Sequence, residues 1–149
     1  MSSPQMGEGV VNCGFEQFIT PQARAVGDMI QTFWPNRFQL KFEVPLHEIF
    51  PQPQNPGLEH IWRFGRADLL ALSQKHQSAI TLIELHGAHH WQARQARNDR
   101  RKYTLARENG VGCLCLYNSV VDRLSRRKMR GLLGGVLFGR RVLQREAIR

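Results

Sequence analysis

Six consecutive residues, Ile80-Thr81-Leu82-Ile83-Glu84-Leu85, are mostly apolar and rich in β-branched side chains. A short run of this kind predicts a strand covered on both faces, an environment that a sheet between helices provides. The run also holds a carboxylate, Glu84, whose burial is costly unless a cation or strong hydrogen bonds compensate it. Fold class and first functional candidate therefore come from the same segment.

The flanking sequence extends this reading. Thr20-Pro21 is a helix start, a capping hydroxyl before proline at the first helical position, and Pro35-Asn36 stops the helix near Trp34. Val26, Met29, Ile30 and Phe33 fall on one face of it. Phe38 to Val44 alternates as a strand, and Pro51 to Gly57 predicts a loop. Arg66 to Leu72 reads as a strand, Ser73 to Ser78 as a turn, and Ile80 to Leu85 as the buried strand. A helix from about Trp91 to Glu108 is closed by Asn109-Gly110, before a further buried strand from Val111 to Tyr117. The order α-β-β-β-α-β, with a βαβ crossover at its end, predicts an α/β fold: a mixed sheet of about four strands flanked by helices. The 149 residues read as one domain, with a core over about 20–118 and a basic C-terminal extension over 119–149. That extension predicts a basic helix and a short Gly-interrupted apolar segment.

Charge is divided unevenly. Residues 1–93 hold 6 Lys+Arg against 8 Asp+Glu, and residues 94–149 hold 15 against 4, so the second part carries the whole net charge of +9. Arginine dominates that excess, and its planar fork matches phosphate, so the expected partner is a nucleic acid. Arg126-Arg127-Lys128 and Arg140-Arg141 carry no catalytic signature and fit either a nucleic-acid backbone or a larger protein assembly. The first residues read as no secretory leader, and Gly131 to Gly139 is too short to span a membrane, so no membrane partner is expected. Three cysteines, Cys13, Cys113 and Cys115, make no disulfide framework, and the expected setting is the reducing cytoplasm.

The candidate chemistry lies where two strands meet. Alternation puts Glu84 and His86 on one face at the end of their strand, and Asp68 lies near the start of the preceding one. In an antiparallel hairpin those ends are neighbours, so Asp68 and Glu84 converge. Paired carboxylates call for a divalent cation, and oxygen ligands select Mg2+ or Mn2+. The alternative is structural: Asp68 caps a turn and Glu84 pairs with an arginine. As a metal ligand beside Asp68, Glu84 could be removed without loss of metal-free stability; paired with an arginine, it could not. On the following helix, Trp91, Gln95, Asp99, Lys102 and Ala106 share the face toward the sheet, and Arg94, Arg97 and Arg101 share another. Lys102 thus either reaches the carboxylates or pairs with Asp99 one turn away. Zinc on His86, His89, His90, Cys113 and Cys115 is weaker, because paired CxxC spacing is missing and cysteines in a buried strand act as small apolar residues.

Gly65-Arg66-Ala67-Asp68, a turn, and Ile83-Glu84-Leu85-His86-Gly87 together resemble the PD-(D/E)xK nuclease core. The continuation through His89-His90, Asn98-Asp99-Arg100-Arg101-Lys102 and Glu108-Asn109-Gly110-Val111 is similar to the very-short-patch-repair-like nuclease domains of small bacterial proteins. The resemblance covers roughly residues 20–118 and implies a restriction-endonuclease-like fold and a Mg2+- or Mn2+-dependent endonuclease, acting on DNA rather than RNA. It implies Asp68, Glu84 and the Leu85 carbonyl as metal ligands and Asp68, Glu84, His86 and Lys102 as the catalytic set. Arg94, Arg97, Arg101, His89 and His90 would meet the nucleic acid. Two positions depart from the pattern. His86 stands where the family has lysine, and the first helical turn offers Gln22 where an acid is usual, with Glu16 just outside. A nuclease-like subunit that binds nucleic acid or a partner without cleavage is the alternative these departures favour.

Overall fold

The computed structural model describes residues 19–87, 93–139 and 144–146, with side chains over 19–87 and 97–139. Helix α1 (Pro21–Phe33) begins as its sequence dictates: Thr20 Oγ1 accepts a hydrogen bond from Ala23 N at 3.1 Å, with proline in the first turn. It closes through Trp34 N to Ile30 O, and Asn36 then turns the chain at φ 67°. Val26 and Ile30 are fully buried. Ala23 and Gly27 join them on the inner face, and Met29 and Phe33 pack only partly.

Strand β1 (Phe38–Pro45) is followed by α2 (Leu46–Ile49), a 3-10 turn (Pro56–Leu58) and α3 (Glu59–Phe64), then β2 (Arg66–Ser73). The expected loop narrows to the stretch around Pro51 to Asn55. The short helices beside it have little periodicity to betray them, and they are held by tertiary anchors: Leu46, Leu58 and Ile61 are buried and Trp62 Nε1 donates to Phe50 O at 2.8 Å. Strand β3 (Ala79–His86), helix α4 (Ala93–Glu108) and strand β4 (Gly112–Tyr117) complete the expected crossover. The proposed helix start at Trp91 lies outside the described residues. Helices α5 (Asn118–Arg123) and α6 (Arg126–Leu137) follow, and α6 is the expected basic helix with its apolar stretch built in. A short edge strand, β5 (Gln144–Glu146), makes five strands where about four were expected.

The sheet runs in the order β1-β2-β3-β4-β5, antiparallel from β1 to β3 and parallel from β3 to β5. It is therefore a mixed sheet flanked by helices, an α/β fold. Alternate residues feed two cores. Leu69, Ala71, Ile83, Leu114 and Leu116 pack with α1, α5 and α6; Leu70, Leu72, Leu82, Cys113 and Cys115 pack with α2, α3 and α4. Burial on both faces is what the apolar run of β3 requires, since each enclosed Leu or Ile contributes about 2 kcal/mol. Among the described residues no helix is long and apolar enough to cross a membrane.

Gly65 is the tight point between α3 and β2. A Cβ there would lie 2.5 Å from Ile61 O and 2.9 Å from the Leu46 side chain. Gly65→Ala is expected to destabilise the protein by about 2 kcal/mol, read as a lower urea midpoint, because backbone cannot yield as a side-chain tip would.

Candidate active site

The β2–β3 ladder pairs Leu69 with Ile83. Continuing that register by one residue sets Asp68 beside Glu84, on the face covered by α4. There the carboxylates replace ladder carbonyls as acceptors: Asp68 N donates to Glu84 Oε2 at 3.2 Å, and Leu85 N donates to Asp68 Oδ2 at 2.8 Å. Each acid thus satisfies a backbone amide of the opposite strand, which holds the pair side by side. The expected convergence of Asp68 and Glu84 at one edge of the sheet is present.

Helix α4 supplies the counter-charge. Lys102 Nζ lies 2.8 Å from Glu84 Oε1 and donates to Arg66 O at 2.7 Å. Of its two expected roles, the structure selects the reach to the carboxylates. Asp99 instead faces His86, its Oδ2 3.7 Å from His86 Nε2. His86 shares the face of Glu84, is only 2% exposed, and meets the Tyr117 ring edge-on at 5.6 Å. It sits behind the acid pair rather than at an open mouth.

Glu84 is 3% exposed. Burial, and then the neighbouring Asp68, push its carboxyl up to about 7 against the pull of Lys102. Burial works against the Lys102 ammonium too. The attraction of Glu84, Asp68 and Asp99 more than offsets it, so Lys102 is held protonated above its usual range. The asymmetry is physical: the ammonium has three acids around it, whereas Glu84 has one ammonium and a competing acid. Removing Glu84 would relieve its repulsion with Asp68 but leave Lys102 without its buried partner. The cation is a lysine where an arginine was the structural alternative.

Sequence reading missed Glu43. Phe42 pairs with Leu69 and Val44 with Ala67, which sets Glu43 beside Asp68. Its φ of 53° is left-handed, at a cost of about 1 kcal/mol for a residue with a Cβ. Arg66 Nη2 donates to the Glu43 carbonyl at 2.7 Å, and Arg66 Nε lies 3.7 Å from its carboxylate. Burial and Asp68 raise the Glu43 pKa. The available signal was the polar phase Lys41-Glu43 of β1, usable only once its register with β2 is known.

The other expected residues divide. Arg97 and Arg101 are exposed on α4. Arg94 lies in the same helix with its side chain outside the described set, and His89, His90 and Glu16 lie outside the described residues. The first turn of α1 carries no acid. Cys113 and Cys115 are buried thiols, and the hydrogen bond between them together with burial pushes the Cys115 thiol up, so it stays protonated. A cleft of about 300 Å3 lined by Lys41, Glu48, Leu70, Leu72 and Gln77 includes neither Asp68 nor Glu84, so the acid pair lies outside it.

Among the described residues no group of three or more His, Cys, Asp or Glu side chains is arranged to hold a metal ion. A cation would have to rest on Asp68 and Glu84, completed by backbone carbonyl and water. Such a set fits Mg2+, which keeps several waters and takes one or two carboxylates. Comparison with protein-family models, curated proteins and solved structures gives no match.

Two measurements check the ion pair. Glu84→Ala is expected to cost about 3 kcal/mol, the penalty for orphaning a buried charge, and Glu84→Gln distinctly less because it keeps hydrogen-bonding atoms. With EDTA present, stability is expected to fall as pH rises from about 5 to 8. The folded state holds a proton on Glu84 that the unfolded chain has released, so that contribution is lost as pH passes the raised pKa near 7. Urea melts across this range should show the slope in wild type and its loss in Glu84→Gln.

Proposed function

We propose that the chain is a Mg2+- or Mn2+-dependent endonuclease of the PD-(D/E)xK kind that hydrolyses phosphodiester bonds, DNA in preference to RNA. The observation that carries this reading is the meeting of Asp68, Glu84 and Lys102 at one sheet edge, the three residue types that the PD-(D/E)xK pattern brings together. Their juxtaposition comes from three separate elements, β2, β3 and α4.

Asp68, Glu84 and the Leu85 carbonyl would hold the cation. When bound, the cation supplies charge neutralisation of a phosphate oxygen and a lowered pKa for a coordinated water. Lys102 spends two donors on Glu84 and the Arg66 carbonyl; a third is available to a phosphate oxygen as negative charge builds there. The lysine absent from position 86 is thereby supplied from α4. His86 and Asp99 face each other 3.7 Å apart beside the acid pair. Exposed Arg97 and Arg101, with Arg94 on the same helix, would meet flanking phosphates.

A second reading is favoured by one observation. Both Glu84 oxygens already accept hydrogen bonds within the protein, one from Lys102 and one from Asp68 N. A nuclease-like subunit that binds nucleic acid or a partner without cleaving it would keep such a self-contained pair.

Cleavage of plasmid and single-stranded DNA with Mg2+, Mn2+ or EDTA separates the two. The enzyme reading expects metal-dependent nicking that EDTA abolishes and that Asp68→Asn lowers about a hundredfold or more, since the half-buried Asp68 can become an amide and still accept from Leu85 N. No nicking under any of these conditions would retire the enzyme and leave the binding subunit.

Nucleic-acid binding is tested independently by replacing Arg94, Arg97 and Arg101 with glutamine. The logarithmic salt slope of duplex binding is expected to flatten by about 0.9 for each phosphate that is no longer neutralised. An unchanged slope would remove α4 from the interface.

A further inference from the structure

The face of the sheet away from the acid pair is covered by α1, α5 and α6, and one edge of that layer has a distinct chemistry. Arg126, Arg130, Gly134 and Phe138 recur every four residues from the start of α6 to the residue that caps it, a single row. Across the groove stand Phe33 and Trp34 at the end of α1, with Arg37 and Phe38 just beyond. The Arg126 guanidinium lies 5.3 Å from the Phe33 ring, and that of Arg130 lies 5.9 Å from both Phe33 and Trp34. Trp34 meets Phe138 edge-on at 5.4 Å, and Arg37 lies 5.3 Å from the Phe138 ring. Gly134 makes room for this: a Cβ there would lie 3.3 Å from Trp34 Cζ2.

Cations and rings therefore alternate along the groove. The three arginines are exposed, and among the described residues none of them forms an ion pair with a carboxylate. Arg127 and Lys128 add exposed positive charge on the same helix. Phe138 keeps 45% of its surface exposed, against the usual burial of phenylalanine. Each four-residue step along α6 advances about 6 Å, comparable to one nucleotide of an extended strand. Arginines that hold phosphates beside rings that stack on bases are the pattern of single-strand recognition; a duplex hides the base faces such rings require.

We propose that the α1–α6 edge is a second nucleic-acid surface, selective for single strands, with Phe138 as its base-stacking residue and Arg37, Arg126 and Arg130 as its phosphate contacts. It lies on the opposite side of the sheet from Asp68 and Glu84 and does not depend on the chain being a nuclease.

The test uses the full chain in EDTA, which keeps cleavage out of the measurement. Fluorescence anisotropy follows labelled oligothymidylate, oligouridylate and a DNA duplex of equal length. Phe138→Ala is expected to weaken single-strand binding about tenfold, the loss of one stacked base, with duplex binding unchanged. Phe138→Tyr, which keeps the ring, should restore it. Arg126→Gln with Arg130→Gln, both at exposed sites that do not endanger folding, should flatten the single-strand salt slope by about 0.7 per arginine. A loss on either oligomer supports the proposal. The proposal is overturned if wild type binds neither oligomer, if all variants bind them as wild type does, or if Phe138→Ala weakens duplex and single strand equally. A chain that never cleaves DNA would leave this result untouched.

Discussion

The contact between Lys102 and Glu84, 2.8 Å long and almost shut off from water, organises the acid edge of this molecule. It ties α4 to β3 directly and to β2 through the Arg66 carbonyl, so one ammonium joins the ends of two strands to the helix above them. Without that cation, Asp68 and Glu84 would face each other across adjoining strands with only backbone amides to hold them. With it, the pair is tolerable but not comfortable, as the raised carboxyl of Glu84 records. A buried ion pair of this sort adds little net stability over an apolar replacement, yet breaking it from one side is expensive. The edge is thus held in register by a contact that is costly to break and cheap to dispense with, an arrangement better suited to specifying a site than to strengthening a core.

Much of this edge was legible in the sequence because it lies on elements with strong local signals. The apolar run of β3 announced both the strand and the anomaly of Glu84. The short turn before it implied a hairpin, and the hairpin implied Asp68 as the neighbour. Helical phase from Asp99 to Ala106 was enough to aim Lys102 at the sheet, though not to choose between its two partners. What stayed hidden depended on partners far along the chain. Glu43 is one polar residue among several on β1, and it becomes a neighbour of Asp68 only through a 25-residue separation in sequence. Helices α2 and α3 are shorter than the span over which periodicity speaks, and three-residue β5 exists only because β4 offers an edge. His86 had the right phase but an unforeseen enclosure, since Asp99 and Tyr117 reach it from α4 and β4.

The two faces of the sheet also differ in electrical character. On one, Glu43, Asp68, Glu84 and Asp99 gather around Arg66 and Lys102, leaving the acids in excess. On the other, arginines of α6 lie over aromatic rings with exposed cations beside them. The net charge of +9 describes neither neighbourhood. A polyanion approaching such a chain would be attracted by the basic surfaces and repelled by the acid edge unless a cation or the helix arginines intervened.

The change of pairing at β3, antiparallel before it and parallel after it, has a kinetic meaning. Strands β2 and β3 are joined by a turn that closes at Ser73 and Ser78, a loop of the kind that forms in microseconds. Pairing β3 with β4 must wait for the whole of α4 to be laid down and packed, a slower, less local event. The topology therefore predicts that the hairpin joins Asp68 to Glu84 before the crossover brings Lys102 to them. On that expected order the acid pair meets before its lysine, and the docking of α4 adds the counter-charge last.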